Sequence, residues 1–168
     1  DIPVVEMDTV RGLRTKEQVL LTIMFNSNSV MMMILIEDES MEPVIEVFDK
    51  LTKVLGVRRF RKLFPVILTD NGSEFQNPEA LEYTAWGEKR TSIFYCDPGC
   101  PYQKGSIEVN HELLRRILPK GKSFDDLEQD DINLVMNHIN SYRRAKLNNR
   151  TPMEAFAFLH GTEALKLL

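Results

Sequence analysis

An α/β domain with five strands is what this sequence predicts. Three observations carry that prediction: three β-like runs at the start, a helical spacing of apolar residues directly after them, and an alternation of strand-like and helix-like segments to the end. The runs cover residues 4–10, 19–26 and 30–37, and the last two are joined by Asn26-Ser27-Asn28-Ser29, turn chemistry that makes the three an antiparallel meander. Residues 41–55 then place Val44, Val47, Phe48, Leu51, Val54 and Leu55 at helical intervals, with Gly56 as the stop. A strand over 66–69 follows, then a short helix introduced by Asn77-Pro78 and covering 79–86, then a β-rich segment over 91–96 that ends at Asp97-Pro98-Gly99. Beyond Gly105 a helix is expected over 106–118, with Ser106 as cap and Pro119 as stop. The next, over 127–144, presents Ile132, Val135, Met136, Ile139 and Tyr142 on one face. The last opens at Thr151-Pro152-Met153-Glu154, which holds a cap, a proline at the first helical position and the Glu of a capping box.

At 168 residues, 43% hydrophobic and 27% charged, the chain is sized for one domain with a substantial core, and its short linkers give no reason to divide residues 1–168. The longest apolar run, residues 31–36, falls far short of the roughly 20 residues that span a bilayer. No leader precedes it, so a soluble cytoplasmic protein without a membrane partner is expected. Cys96 and Cys100, spaced CxxxC without a second ligand pair, read as two reduced thiols rather than a zinc site. A net charge of −4 argues against a protein that coats nucleic acid by electrostatics alone. Distribution matters more than the sum. Acids crowd residues 37–49, whereas cations cluster at Arg58-Arg59-Phe60-Arg61-Lys62 and at Arg143-Arg144-Ala145-Lys146.

Against that background three acids stand out. Asp8 lies inside the first β-run, Asp70 ends the fourth strand, and Glu108 falls in the first turn of the helix that follows Gly105. Asp is depleted from strands, and an unpaired buried carboxylate is costly, so a trio brought together by the chain's topology points to a bound cation. Taken singly each has an ordinary reading: Asp8 facing water at a strand end, Asp70-Asn71-Gly72 as turn chemistry, Glu108 as a favourable charge on a helix dipole. Their order is more informative. A meander, a helix, a strand ending in Asp and a later helix opening with Glu is the order of the ribonuclease-H-like polynucleotidyl transferases.

Leu68-Thr69-Asp70-Asn71-Gly72-Ser73-Glu74-Phe75 matches the D-N-G-x-E-F signature of integrase-type catalytic cores. Gln103-Lys104-Gly105-Ser106-Ile107-Glu108 resembles the segment that bears their final glutamate, and it continues through Asn110-His111-Glu112-Leu113-Leu114-Arg115-Arg116 to Pro119-Lys120-Gly121. Together these resemble the IS30 family of insertion-sequence transposases, over almost the whole chain from Glu6-Met7-Asp8 to Arg150-Thr151-Pro152. The resemblance implies a ribonuclease-H-like fold, a mixed five-stranded sheet with helices on both faces. It implies a catalytic and metal-binding triad of Asp8, Asp70 and Glu108, with 37 residues between the second Asp and the Glu, slightly more than is usual in the wider DDE group. The helix also differs from many relatives, which carry Asn where this chain has Val109 and His111.

The implied chemistry is DNA cleavage and strand transfer during transposition, with two Mg²⁺ or Mn²⁺ ions about 3.5–4 Å apart held by hard carboxylate oxygens. Glu112, one turn beyond Glu108, is the rival third ligand. Lys104, His111, Arg115, Arg143 and Arg144 are the candidate DNA contacts, Asp97 is a minor candidate for a cation, and Asn71 and Glu74 are expected to organise the loop after Asp70. The partners implied are the element ends and target DNA, engaged as a homo-oligomer. The chain starts at Asp1 and shows no helix-turn-helix, so it reads as a catalytic fragment whose DNA-recognition region lies upstream. Two alternatives stand beside this reading: a nuclease of the same fold that stops at hydrolysis, and a degenerate core kept for DNA binding or dimerisation.

Overall fold

In the computed structural model, which describes residues 2–13 and 18–167, the meander forms as expected. Strand β1 (Val4–Arg11) pairs antiparallel with β2 (Val19–Phe25), and β2 with β3 (Met31–Ile36). Strand β4 (Val66–Thr69) then lies parallel to β1 on its other side, and β5 (Ile93–Tyr95) parallel to β4, giving a mixed sheet in the order β3-β2-β1-β4-β5. The return to a parallel neighbour requires a crossover, and α1 (Met41–Leu55) and α2 (Val57–Leu63) supply it. All seven residues of β2 are buried, as a central strand covered on both faces must be. The remaining helices are α3 (Pro78–Glu82), α4 (Gly105–Ile117), α5 (Gln129–Asn140) and α6 (Pro152–His160).

Several bounds differ from the sequence expectation, each for a local reason. Helix α2 is not expected from the sequence, because its apolar residues Val57, Phe60 and Leu63 are interleaved with four cations; their three-residue spacing buries them, and Phe60 packs between Phe48 and Phe64. Helix α3 stops at Glu82, where Tyr83 turns to bridge Lys89. Ser106 is not a cap: α4 begins at Gly105, with Lys104 at the capping position and no side-chain cap bond from it. Helix α5 ends at Asn140, so Tyr142 lies outside it and is exposed. The Thr151–Glu154 capping box of α6 forms as expected, and Phe156 packs on Phe25.

The open edge of β3 is closed by side chains rather than by another strand. Asn140 accepts from Met31 N–H (3.0 Å) and donates to Met31 O (3.0 Å), and Gln129 does the same with Leu35 N–H (2.8 Å) and Met33 O (3.0 Å). Helix α5 therefore satisfies the backbone groups that would otherwise invite another chain. Under the other half of the molecule the fully buried Arg90 donates to Ala80 O, Leu81 O, Thr52 Oγ1 and Asp49, tying α1 to α3. No helix of the described residues is long and apolar enough to cross a membrane.

Candidate active site

Strands β1 and β4 are parallel neighbours, and this adjacency determines the site. Glu6 is level with Leu68, so Asp8, two residues on, and Asp70, just past the end of β4, stand side by side at the same end of the sheet. Each carboxylate is steadied by nearby backbone: Asp8 Oδ1 accepts from Thr9 N–H (2.9 Å) and Asp70 Oδ1 from Gly72 N–H (2.9 Å), the latter an Asx-type turn. Their other oxygens meet one cation. The Lys104 ammonium lies 3.2 Å from Asp8 Oδ2 and 3.2 Å from Asp70 Oδ2. Burial pushes the Asp8 carboxyl above its ordinary range, Lys104 opposes that, and neighbouring Asp70 adds to it.

Glu108 reaches the same cavity from the first turn of α4. Asp8, Asp70 and Glu108 line it with Asn71, Asp97, Cys96, Cys100 and Lys104, around a space of about 690 Å³. Glu112 does not line it; it faces an adjoining cleft that shares Glu108 as its border. Among the described residues no three acidic, His or Cys side chains are close enough together to hold one ion. Two of the three expected acids thus converge on a shared cation while the third stands exposed across the cavity. The physical reason is charge: with the Asp pair already met by an ammonium, an exposed Glu108 carboxylate gains more from water than from approaching two like charges.

One supporting residue escapes the sequence reading. Glu6 is 2% exposed, and its carboxylate accepts from Ile107 N–H (2.7 Å) and from the Asn26 amide (2.8 Å). It takes the place of the cap expected of Ser106, and by holding the first turn of α4 it positions Glu108. Alternation was the available signal, since Glu6 and Asp8 fall on one face of β1. Glu74 is also buried and accepts from the Thr9 hydroxyl (2.7 Å), which pins the loop after Asp70 to β1. A Cβ on Gly72 would press into the Glu74 carboxylate and crowd Asp70 Oδ1, so glycine leaves both carboxylates their positions. Asn71 donates to Cys96 O (3.2 Å), and Asp97 is held by Gln103, which donates to its carboxylate (2.9 Å). Both cysteines are free, and burial pushes the Cys96 thiol up, away from the reactive thiolate.

Of the cationic candidates, Lys104 enters the acid cavity, and His111 and Arg115 line the adjoining cleft with Arg11, Arg116 and Lys120. Arg143 and Arg144 line neither; they donate to Asn149 O (2.8 Å) and Ile139 O (3.1 Å) and brace the turn after α5. His111 has a definite local role. The Thr22 hydroxyl donates to Asp8 O (3.0 Å), so its 2.8 Å contact with His111 Nε2 is a bond donated by the imidazole. Burial first, then Lys104 and Arg115, lower the His111 pKa from 6.5 to about 4, which keeps the ring neutral.

A pH dependence follows. Between pH about 6.5 and about 4 the unfolded chain binds a proton at His111 that the folded chain refuses, so this residue's contribution to stability is complete above that window and is lost as pH falls through it. Wild type minus His111→Gln, followed by thermal denaturation from pH 7.5 to 4.5, should show that slope. A difference that stays flat would contradict a neutral, half-buried imidazole.

No protein-family model matches the chain. It is 27% identical over 151 residues to the transposase for insertion sequence element IS4351 of Bacteroides fragilis, covering 90% of this chain and 43% of that protein. It is 31% identical over 74 residues to the transposase InsI for insertion sequence element IS30A of Escherichia coli (strain K12), covering 44% of this chain and 19% of that one. The chain is a homologue of insertion-sequence transposases, IS30 among them. It spans less than half the length of these curated relatives. Among solved structures the catalytic core domain of BIV integrase superposes with a TM-score of 0.66 at 17% identity, over 98% of this chain and 99% of that one. The expected ribonuclease-H-like fold of integrase catalytic cores is therefore present.

Proposed function

We propose that this transposase homologue is a catalytic core that cleaves DNA and transfers the cut strand, with Asp8, Asp70 and Glu108 as its catalytic carboxylates. The observation that carries the reading is the convergence of Asp8 and Asp70 on a single buried cation in a cavity that Glu108 also lines. The donor set suits Mg²⁺ or Mn²⁺: its oxygens are hard, an ammonium already stands where positive charge is wanted, and the side chains of Asp8 (22% exposed) and Asp70 (48%) leave room for the waters Mg²⁺ retains. Asp8, Asp70 and Glu108 would hold two such ions, which when bound activate an attacking oxygen and stabilise a leaving one.

The chain's own contribution is placement. Thr9 N–H and Gly72 N–H orient the two aspartates, and Glu6 fixes the helical turn that carries Glu108. Water attacks first and frees a 3′-hydroxyl at the element end; that hydroxyl then attacks target DNA, and no covalent enzyme intermediate forms. His111 and Arg115 in the adjoining cleft, with Arg11, Arg116 and Lys120, offer cationic and polar contacts to the DNA backbone. The full-length protein works on element ends and target DNA as a homo-oligomer in the bacterial cytoplasm. Incubation with a pre-cleaved element end and a plasmid target tests this: joined product is expected, whereas a hydrolysis-limited nuclease gives nicks alone and a degenerate core gives neither.

A further inference from the structure

Lys104 is 5% exposed, and its ammonium, besides touching both aspartates, donates to Met7 O (3.4 Å). Lysine is almost never buried unless paired, and here its partners are two of the three acids assigned to the metal. Among the described residues, four carboxylates, those of Asp8, Asp70, Asp97 and Glu108, line the cavity, and Lys104 is the one cation that does. A divalent ion on the Asp8 and Asp70 oxygens would sit within a few ångströms of that ammonium, where like charges repel strongly in a partly buried setting. The two cannot share these oxygens in their present positions.

We propose that Lys104 is a displaceable counter-ion that competes with the divalent ion for Asp8 and Asp70, so that metal loading and lysine release are one exchange. The proposal rests on the reading of those aspartates as metal ligands. The local build permits the exchange. Lys104 stands at the head of α4 without forming a side-chain cap, and the first turn of that helix is held instead by Glu6 through Ile107 N–H. Its long flexible stem can therefore leave without unseating Glu108. Beside it lies the open cavity toward Asp97 and Cys100, where a released ammonium is placed for an incoming phosphodiester oxygen. In that exchange the lysine relieves the repulsion within the Asp pair until an ion arrives.

Mn²⁺ binding in the absence of DNA, measured by calorimetry and by thermal shift on wild type, Lys104→Gln, Lys104→Arg and Asp8→Asn, tests it. Lys104→Gln should bind Mn²⁺ about tenfold tighter than wild type, and Lys104→Arg, which keeps the charge, no tighter than wild type. Lys104→Gln should also melt lower without metal and gain more from it. Equal or weaker Mn²⁺ binding by Lys104→Gln, with wild-type binding still abolished in Asp8→Asn, overturns the exchange and leaves the ligand assignment standing. Absence of binding in every form overturns both. Amine acylation of wild type read by mass spectrometry decides the matter without a variant: Lys104 should be protected in metal-free protein and labelled once Mg²⁺ is added, while the exposed Lys50 reacts in both states. Protection unchanged by Mg²⁺ overturns the exchange.

Discussion

Asp70→Asn should abolish strand transfer and, with it, the thermal stabilisation that Mg²⁺ or Mn²⁺ gives the wild type. The substitution is informative because it separates charge from shape. Asparagine keeps an Oδ1 that accepts from Gly72 N–H, so the turn after β4 survives, while the oxygen that now faces Lys104 becomes an uncharged amide. Lys104 still has Asp8 as a partner, so the metal-free fold should change by no more than about 1 kcal/mol. Metal binding to the native state stabilises by RT ln(1 + [M]/Kd), about 2.7 kcal/mol at a hundredfold excess over Kd, and Asp70→Asn should forfeit most of it. If the ions supply even about 4 kcal/mol of transition-state stabilisation, strand transfer drops by roughly a thousandfold. A variant that keeps both the thermal shift and joined product would remove Asp70 from the site.

The meander and α1 were legible because alternation, turn chemistry and helical spacing are local, and the bounds of α1 and β4 agree with expectation to the residue. The convergence of Asp8 and Asp70 was legible through topology, since a strand ending in Asp beside the first strand places the two together. Helix α2 was hidden by its charges, because Arg58, Arg59, Arg61 and Lys62 dominate a seven-residue segment whose buried residues are only three. The sequence offers Lys104 as a group for DNA phosphate, and its pairing with both aspartates lies beyond what linear order can show. The contact joins residues 96 and 34 positions apart in sequence, and only the packing of α4 against β1 brings them together. Glu6 is hidden for the same reason: its partner is a backbone N–H about a hundred residues away.

Glu6→Ala is expected to produce the largest loss of stability among substitutions that leave the metal oxygens untouched. The carboxylate accepts two bonds in a place closed to water, from Ile107 N–H and the Asn26 amide, and alanine leaves both donors without a partner. Each such loss costs about 1–3 kcal/mol, so about 3 kcal/mol in all is expected, as a lower midpoint in urea. Strand transfer should fall as well, because the freed first turn of α4 no longer presents Glu108 to the cavity. Glu6→Gln discriminates between shape and charge. Its amide oxygen can still accept from Ile107 N–H, and Asn26, whose own Oδ1 lacks a partner among the described residues, can turn its amide to accept from the new NH₂. Most of the stability should therefore return, short of the roughly 0.3–1 kcal/mol that a negative charge contributes at a helix N-terminus. Both variants retain Asp8 and Asp70. A metal-induced thermal shift that persists in Glu6→Ala while strand transfer fails would mark Glu6 as a residue that positions α4; wild-type stability in Glu6→Ala would show that the helix is held by something else.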